Sequence, residues 1–448
     1  MEFSTELIAA VATLCKQAMV EIVAQHPESK IADLEQGLRQ LLKQAGNQSL
    51  GQGLSALEVP YPESQVDCSC GQRADYQFRR TAKTRTVFDW VEYRRAYYLC
   101  SYCHQGQYPL DQRLGLEPGQ VSAGLAPLLA LAGVETAFAE GCQLIERFLL
   151  LAVSDNTLRK ETQTFGRLQA QSEQDGQAQS QDPAYLQERQ RTQPAHPTRL
   201  YGSIDGAHVP IGDEWRELKT GSWYEVEKVR SACHAGVGQL DELRARNIRY
   251  YCDIAEAETF GQLLWSTGVQ GGADLADEIV FVADGATWIW NLVERNFPRA
   301  VQIVDWYHAV AYLSPIAEAV YGANSSKGKD WLERMRSALW EGQVDQVIRV
   351  CQAWIKHARA GEAARKAVTY YSHNARRMDY ASFRSAGYQI GSGTIESGCK
   401  QIASQRLKRS GARWTLEGAR LTAKARAAWL SGQWEQLSVQ RAALPLAT

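Results

Sequence analysis

EIVFVADG, residues 278–285, is an apolar run closed by Asp284 and Gly285. Its core carries no alternation of polar and apolar side chains, which is the pattern of a strand buried on both faces, as parallel strands are. A second run of this kind, AVQIV (300–304), leads into Asp305-Trp306-Tyr307-His308. Helix-like stretches flank the first run, AETFGQLLWSTG (257–268) before it and ATWIWNLVERNF (286–297) after it. Further upstream lie three β-rich stretches, TRLYGSIDGAHVPI (198–211), SWYEVEKVRSACHAG (222–236) and IRYYCDIA (248–255). Three consecutive strands followed by alternating helix and strand predict a mixed sheet with helices on both faces, in the order of a ribonuclease-H-like domain.

Acidic residues sit at telling places in this pattern. Asp205 is flanked by apolar β residues, and a mid-strand acid needs a reason. It also precedes Gly206, and Asp-Gly is a favoured turn pair. Asp284 stands where open α/β sheets place their ligands, although an N-cap for the next helix reads the same way. Glu396 lies in GYQIGSGTIESGCK (387–400), at the opening of the last helical region. The three acids are 79 and 112 residues apart, and residues 309–385, rich in Trp, Arg and Ala, form a helical insertion before the last. Oxygen ligands from two strands and a helix suit a hard divalent cation such as Mg²⁺ or Mn²⁺.

In these residues the chain resembles the DDE transposases of bacterial insertion sequences. The Asp-x-x-His of Asp305 and His308 resembles the mutator-like branch, the ISKra type in particular. The resemblance implies a DNA transposase that binds terminal inverted repeats, hydrolyses phosphodiester bonds and joins the ends to target DNA. It implies Asp205, Asp284 and Glu396 as catalytic Mg²⁺ ligands. The simplest physical role for Asp305 and His308 is to orient an active-site carboxylate or contact a phosphate, and the alternative is that Asp305 supplies the third ligand in place of Glu396. A homodimer or larger assembly, cytoplasmic and nucleoid-associated, is expected on the same ground.

Outside residues 198–308 and 386–448, which hold this core, the chain divides further. Residues 1–58 carry apolar side chains at helical spacing and acids early, reading as an amphipathic helix and not a signal peptide. No run approaches the roughly 20 apolar residues that cross a bilayer. In residues 59–120, Cys68-Ser69-Cys70 and Cys100-Ser101-Tyr102-Cys103 bracket an alternating β passage. That layout predicts a zinc ribbon, with His104 as a substitute ligand. Ten cysteines with no secretory signal fit a reducing compartment. Residues 121–168 predict a helix-turn-helix, capped by Ser154 or Asp155 and presenting Arg159 and Lys160 to DNA. Residues 169–197, with nine glutamines between 169 and 193, read as a linker or solvated helix extension.

The formal net charge is −1, but it is segregated. Residues 253–294 hold eight acids and no Lys or Arg, whereas residues 400–448 hold nine Lys/Arg against two Glu. This predicts a basic tail, with Arg406, Lys408, Arg409, Arg413 and Trp414 on DNA beside an acidic metal pocket. Neither HExxH nor GxSxG occurs, so zinc-protease and α/β-hydrolase readings lose their usual support. Two alternatives stay open: a catalytically idle DNA-binding relative, and a carboxylate-pair glycosidase, which needs neither basic tail nor cysteine pairs.

Overall fold

The computed structural model describes residues 4–58, 63–193, 196–230 and 241–444. The chain divides into two compact units, Met1–Thr162 with Ser438–Thr448, and Gln163–Leu437.

The first unit opens with helices Thr5–Gln25 and Ile31–Ala56. The first is almost wholly exposed, and its segment Ile8–Gln25, with mean hydropathy 1.3, is long and apolar enough to cross a membrane. That corrects the reading that no segment reaches this length: the average tolerates Lys16 and Glu21, which break an unbroken run. An antiparallel sheet follows, β1 (Gln65–Asp67), β2 (Arg73–Thr86), β3 (Asp89–Cys100) and β4 (Gly106–Gln107), paired in that order. One end of it buries Ala74, Ala96 and Tyr98 around the cysteines, and the other buries Ala82, Val91 and Tyr93 against Leu54. Helices Ala126–Glu135 and Phe138–Leu149 then pack on the start of helix Asp155–Ser180. A Cβ on Gly133 would sit 2.0 Å from Thr162 Oγ1, and one on Gly141 2.5 Å from Leu158, so only glycine permits this approach. Ser154 caps the last helix by accepting from the Thr157 amide at 3.2 Å.

The second unit is built on β5 (Arg199–Ile211), β6 (Glu214–Arg230), β7 (Asp241–Asp253), β8 (Glu278–Ala283) and β9 (Val301–Val304). Their order is β7-β6-β5-β8-β9, with β5, β6 and β7 antiparallel and β8 and β9 parallel to β5. Residues 231–236 of the second β-rich stretch lie outside the described residues. Both faces are covered. Trp223 packs against Gly268 of helix Ala257–Gly271 and donates to Thr267, while the next residue, Tyr224, bonds Thr394 of helix Gly393–Cys399. Consecutive strand residues point to opposite faces, so the two helices lie on opposite sides of the sheet.

Of the two readings of residues 169–197, linker or solvated helix extension, the chain forms a helix extension, but one that is partly buried. Helix Asp155–Ser180 runs on through the glutamines and Pro183–Thr192 follows it. Gln169, Glu173 and Ser180 are buried, and Gln169 donates to Glu173 at 3.1 Å. The basic tail is also folded, into helix Gly393–Cys399, a π-helix Lys400–Leu407, and helices Leu416–Leu430 and Trp434–Ala442.

A candidate metal-binding acid row

Strand register fixes where the acids stand. Gly202 of β5 pairs with Phe281 of β8, and Asp205 and Asp284 each lie three residues further on. Ala283 pairs with Val304, so Asp305 follows at the same level on β9. Asp205, Asp284 and Asp305 thus form one row across three adjacent parallel strands, within β5 and directly after the last residues of β8 and β9, spaced by roughly 4.8 Å per strand. Alternation from the Tyr201–Val280 and Val280–Val301 pairs puts all three on one sheet face. Tyr201 stacks on Tyr224 there, so this is the face that carries helix Gly393–Cys399 and Glu396.

Each acid has a distinct environment. Asp205 lies within β5 and not in a turn; its carboxylate accepts from the Gly206 amide at 2.7 Å and from the Cys399 thiol. Burial first, and the neighbouring Asp284 charge after it, push this carboxyl above its ordinary range despite those bonds. Asp284 accepts from the Ala286 amide at 2.9 Å but is not the N-cap, which is Ala286. It is in no ion pair among the described residues, whereas Asp253, Glu258, Asp274, Glu278 and Glu294 from the acid-rich segment are all paired. The following Gly285 is required, because a Cβ there would lie 2.1 Å from the Tyr370 ring.

Asp305 is fully buried. One oxygen accepts from the His308 amide at 2.6 Å and sits 3.1 Å from His308 Nδ1. The other accepts from the Ser392 amide at 2.5 Å. Burial alone would raise this carboxyl, but the bonds from His308 and Ser392 outweigh it and hold it low. The Trp306 amide bonds the Ile390 carbonyl at 3.0 Å, so Asp305 and its neighbour pin the Gly391–Gly393 loop that launches the Glu396 helix. Glu396 itself is half exposed, its Oε1 3.8 Å from His308 Nδ1. Ligand atoms of Asp305, His308 and Glu396 lie within 4.8 Å of one another; Asp205 and Asp284 stand beside this group and outside that radius.

The Asp305 hydrogen bond raises the His308 pKa to about 9, with the Asp305, Asp284 and Glu396 charges adding to it. In metal-free protein His308 is therefore cationic at neutral pH. Its charge contributes stability in full below the unfolded value of about 6.5, and this contribution is lost as pH rises through about 9. An NMR titration should find that high midpoint, and Asp305→Asn should bring it down toward 6.5.

In the first unit, Cys68, Cys70, Cys100 and Cys103 bring their sulfurs within 4.8 Å of one another, and His104 is not part of the group. Cys68 and Cys103 are 3.5 Å apart and Cys70 and Cys100 3.7 Å, with all four thiols free. Tetrahedral Zn–S bonds of roughly 2.3 Å separate sulfurs by about 3.8 Å, so these spacings suit a four-thiolate metal site. A backbone amide bond from Cys70 holds the Cys68 thiol down at about 6, which favours the ligating thiolate. Cys100→Ser should abolish metal retention on dialysis and lower the melting temperature of this unit, as measured by metal analysis and calorimetry.

The predicted DNA contacts separate into two groups. Arg159 and Lys160 are exposed on helix Asp155–Ser180, Lys408 and Arg413 are exposed, and Arg409 is half buried. Arg406 and Trp414 are not surface groups: the guanidinium lies over the indole at 5.0 Å, and the indole donates to the Leu407 carbonyl at 3.0 Å. Their place in the tail is structural, which corrects the DNA-contact reading for both. Cys399, Ser392, Tyr312 and Tyr370 border the acids without having been legible in the sequence.

Fold and site together define a mixed α/β protein with a four-cysteine cluster able to hold a metal ion and an acid and histidine cluster at the strand ends. The model of the uncharacterised protein family UPF0236 matches residues 28–440, and the chain belongs to that family. No curated protein matches it.

Proposed function

We propose that this protein is a DNA transposase and that Asp205, Asp284 and Glu396 hold its catalytic divalent ions. The observation that carries the reading is the row of acids across adjacent parallel strands, with Glu396 on the helix of the same face. The strand order supports a ribonuclease-H-like core, three antiparallel strands followed by two parallel ones. Mg²⁺ or Mn²⁺ bound there would activate a water or 3′-hydroxyl and stabilise the leaving oxygen.

The chain's own residues prepare that chemistry. Asp205 and Asp284 repel one another and Asp205 is desolvated, so a cation is the natural neutraliser of the pair. Asp305 spends both oxygens on His308 and Ser392, which makes it a positioning residue and leaves Glu396 as third ligand. His308, protonated on the rim, is placed to contact a DNA phosphate. Lys408 and Arg413 provide exposed phosphate contacts, and helix Asp155–Ser180 presents Arg159 and Lys160 toward the element ends. Zinc is the ion best suited to the four thiolates.

The test is product analysis on DNA carrying the element ends with Mg²⁺ or Mn²⁺. The reading expects 3′-hydroxyl ends that become joined to a second DNA. End binding without any strand cleavage would instead mark an idle relative, and cleavage of an oligosaccharide would mark a glycosidase.

A further inference from the structure

Next to Asp284, on the side of the helical insertion, lies a hollow of about 780 Å³ whose lining includes Gly285, Trp290, Tyr312, Arg365, Lys366 and Tyr370. A second hollow of about 510 Å³ shares Tyr312 and Lys366 with it and adds Arg359. Neither is explained by the cleavage chemistry, and their walls are of two kinds. The first is aromatic. Tyr312 stacks on Tyr370 with ring centroids 3.9 Å apart and keeps 36% of its surface exposed. Trp290 in the same wall is 3% exposed, and among the described residues its indole N–H has no hydrogen-bond partner. A buried donor in that condition awaits an acceptor. The second kind is cationic. Arg359 and Arg365 are in no ion pair among the described residues. Lys366 pairs with Glu362 at 2.8 Å, but both side chains are mostly exposed, so the pair yields readily to a stronger anion. Arg376 and Arg377 share the single carboxylate of Glu294, leaving positive charge in excess on that wall.

An open aromatic platform flanked by exposed guanidinium and ammonium groups is chemistry for a planar base that carries a phosphate. The volume suits a ligand of that size. Position narrows the source. Gly285 belongs to the lining and directly follows Asp284, and the Asp284 charge reaches Tyr312. On the DNA-cleaving reading, a strand with a phosphate at the acid row would run beside this opening.

We propose that the hollow takes an unpaired nucleotide of the DNA strand, its base against Tyr312 and its phosphate on Arg365 and Lys366. The inference rests on the DNA-cleaving reading for the identity of the strand, but its test does not require cleavage. Full-length protein in EDTA is titrated with a short single-stranded oligonucleotide carrying one 2-aminopurine. Stacking should quench the fluorophore in wild type. Tyr312→Ala should bind about tenfold more weakly and lose the quenching, while Tyr312→Phe keeps it. Arg365→Gln, a surface change that does not depend on the Tyr312–Tyr370 stack for folding, should weaken binding about as much and flatten its salt dependence. Deoxyadenosine monophosphate should compete only at far higher concentration than the oligonucleotide.

Wild-type binding and quenching in both Tyr312→Ala and Arg365→Gln would overturn the pocket, even if Mg²⁺-dependent cleavage is intact. Competition by the mononucleotide as tight as by the oligonucleotide would overturn it too, making this a free-nucleotide site. Quenching that needs Tyr312 and Arg365 sustains the pocket even if no DNA is ever cut, and the cleavage reading alone then fails.

Discussion

Glu396→Ala should eliminate strand cleavage while leaving the melting temperature within a degree or two of wild type, and Asp305→Ala should do the reverse in part, lowering stability as well as activity. The contrast comes from their environments. Glu396 is half exposed and, among the described residues, its one ion-pair contact is His308 at 3.8 Å, so removing it strips a ligand and little else. Loss of one metal ligand should cost several kcal/mol of transition-state stabilisation, or a factor of about 10³ or more in rate. Asp305 is fully buried and accepts three hydrogen bonds, from the His308 amide, His308 Nδ1 and the Ser392 amide. Its loss strands buried donors at about 1–3 kcal/mol each, and frees the loop that aims Glu396. Single-turnover cleavage assays read beside thermal melts separate the two roles. Near-normal cleavage by Glu396→Ala, with a silent but fully folded Asp305→Ala, would exchange them.

The largest expected effect on folding comes from Lys424. Its ammonium is 1% exposed and lies 2.5 Å from Glu173, 2.9 Å from Asp253 and 2.9 Å from the Cys252 carbonyl. Burial opposes the charge, but Glu173 and Asp253 overcome it and raise the lysine's pKa. Lys424→Met removes the cation and leaves the buried Glu173 carboxylate without its ion-pair partner, while Asp253 keeps Arg420. Breaking a buried pair in this way typically costs about 3–5 kcal/mol. For a unit of this size that corresponds to a fall of about 5–9 °C in melting temperature. Adding Glu173→Gln to Lys424→Met should recover part of the loss, because one uncompensated charge goes with it. A Lys424→Met protein that melts within about 2 °C of wild type would show that the network is not what holds these helices to β7.

Lys424 also shows what a sequence conceals. Residues 400–448 look like a basic tail because charge counts carry no direction. Lys424 and Arg420 meet Asp253, Arg441 meets Glu161 at 3.4 Å, and Arg426 donates to the Gln401 carbonyl at 2.6 Å. The partner of Lys424 at Glu173 is 251 residues away, in a stretch whose glutamines suggested solvent. Distant pairing of that kind leaves no local trace. The acid row, in contrast, was legible, because period-two alternation and the ends of apolar runs are properties of neighbouring residues. Asp284 and Asp305 each follow the last residue of an apolar strand, and Asp205 is an acid within one. What could not be read was the division of labour between Asp305 and Glu396, since it depends on the Ser392 amide returning from an 87-residue separation. The four cysteines were legible as two pairs for the same local reason, and their meeting needed only one hairpin.

In the proposed reading, Asp205, Asp284 and Glu396 form a divalent-metal centre for cutting DNA. The most direct test is cleavage of end DNA by wild-type protein and by Asp284→Ala, each with Mg²⁺, with Mn²⁺ and with EDTA. The account predicts cleavage by wild type with either metal, none in EDTA, and none by Asp284→Ala under any condition although it binds the same DNA. Cleavage that persists in EDTA or in Asp284→Ala would contradict it.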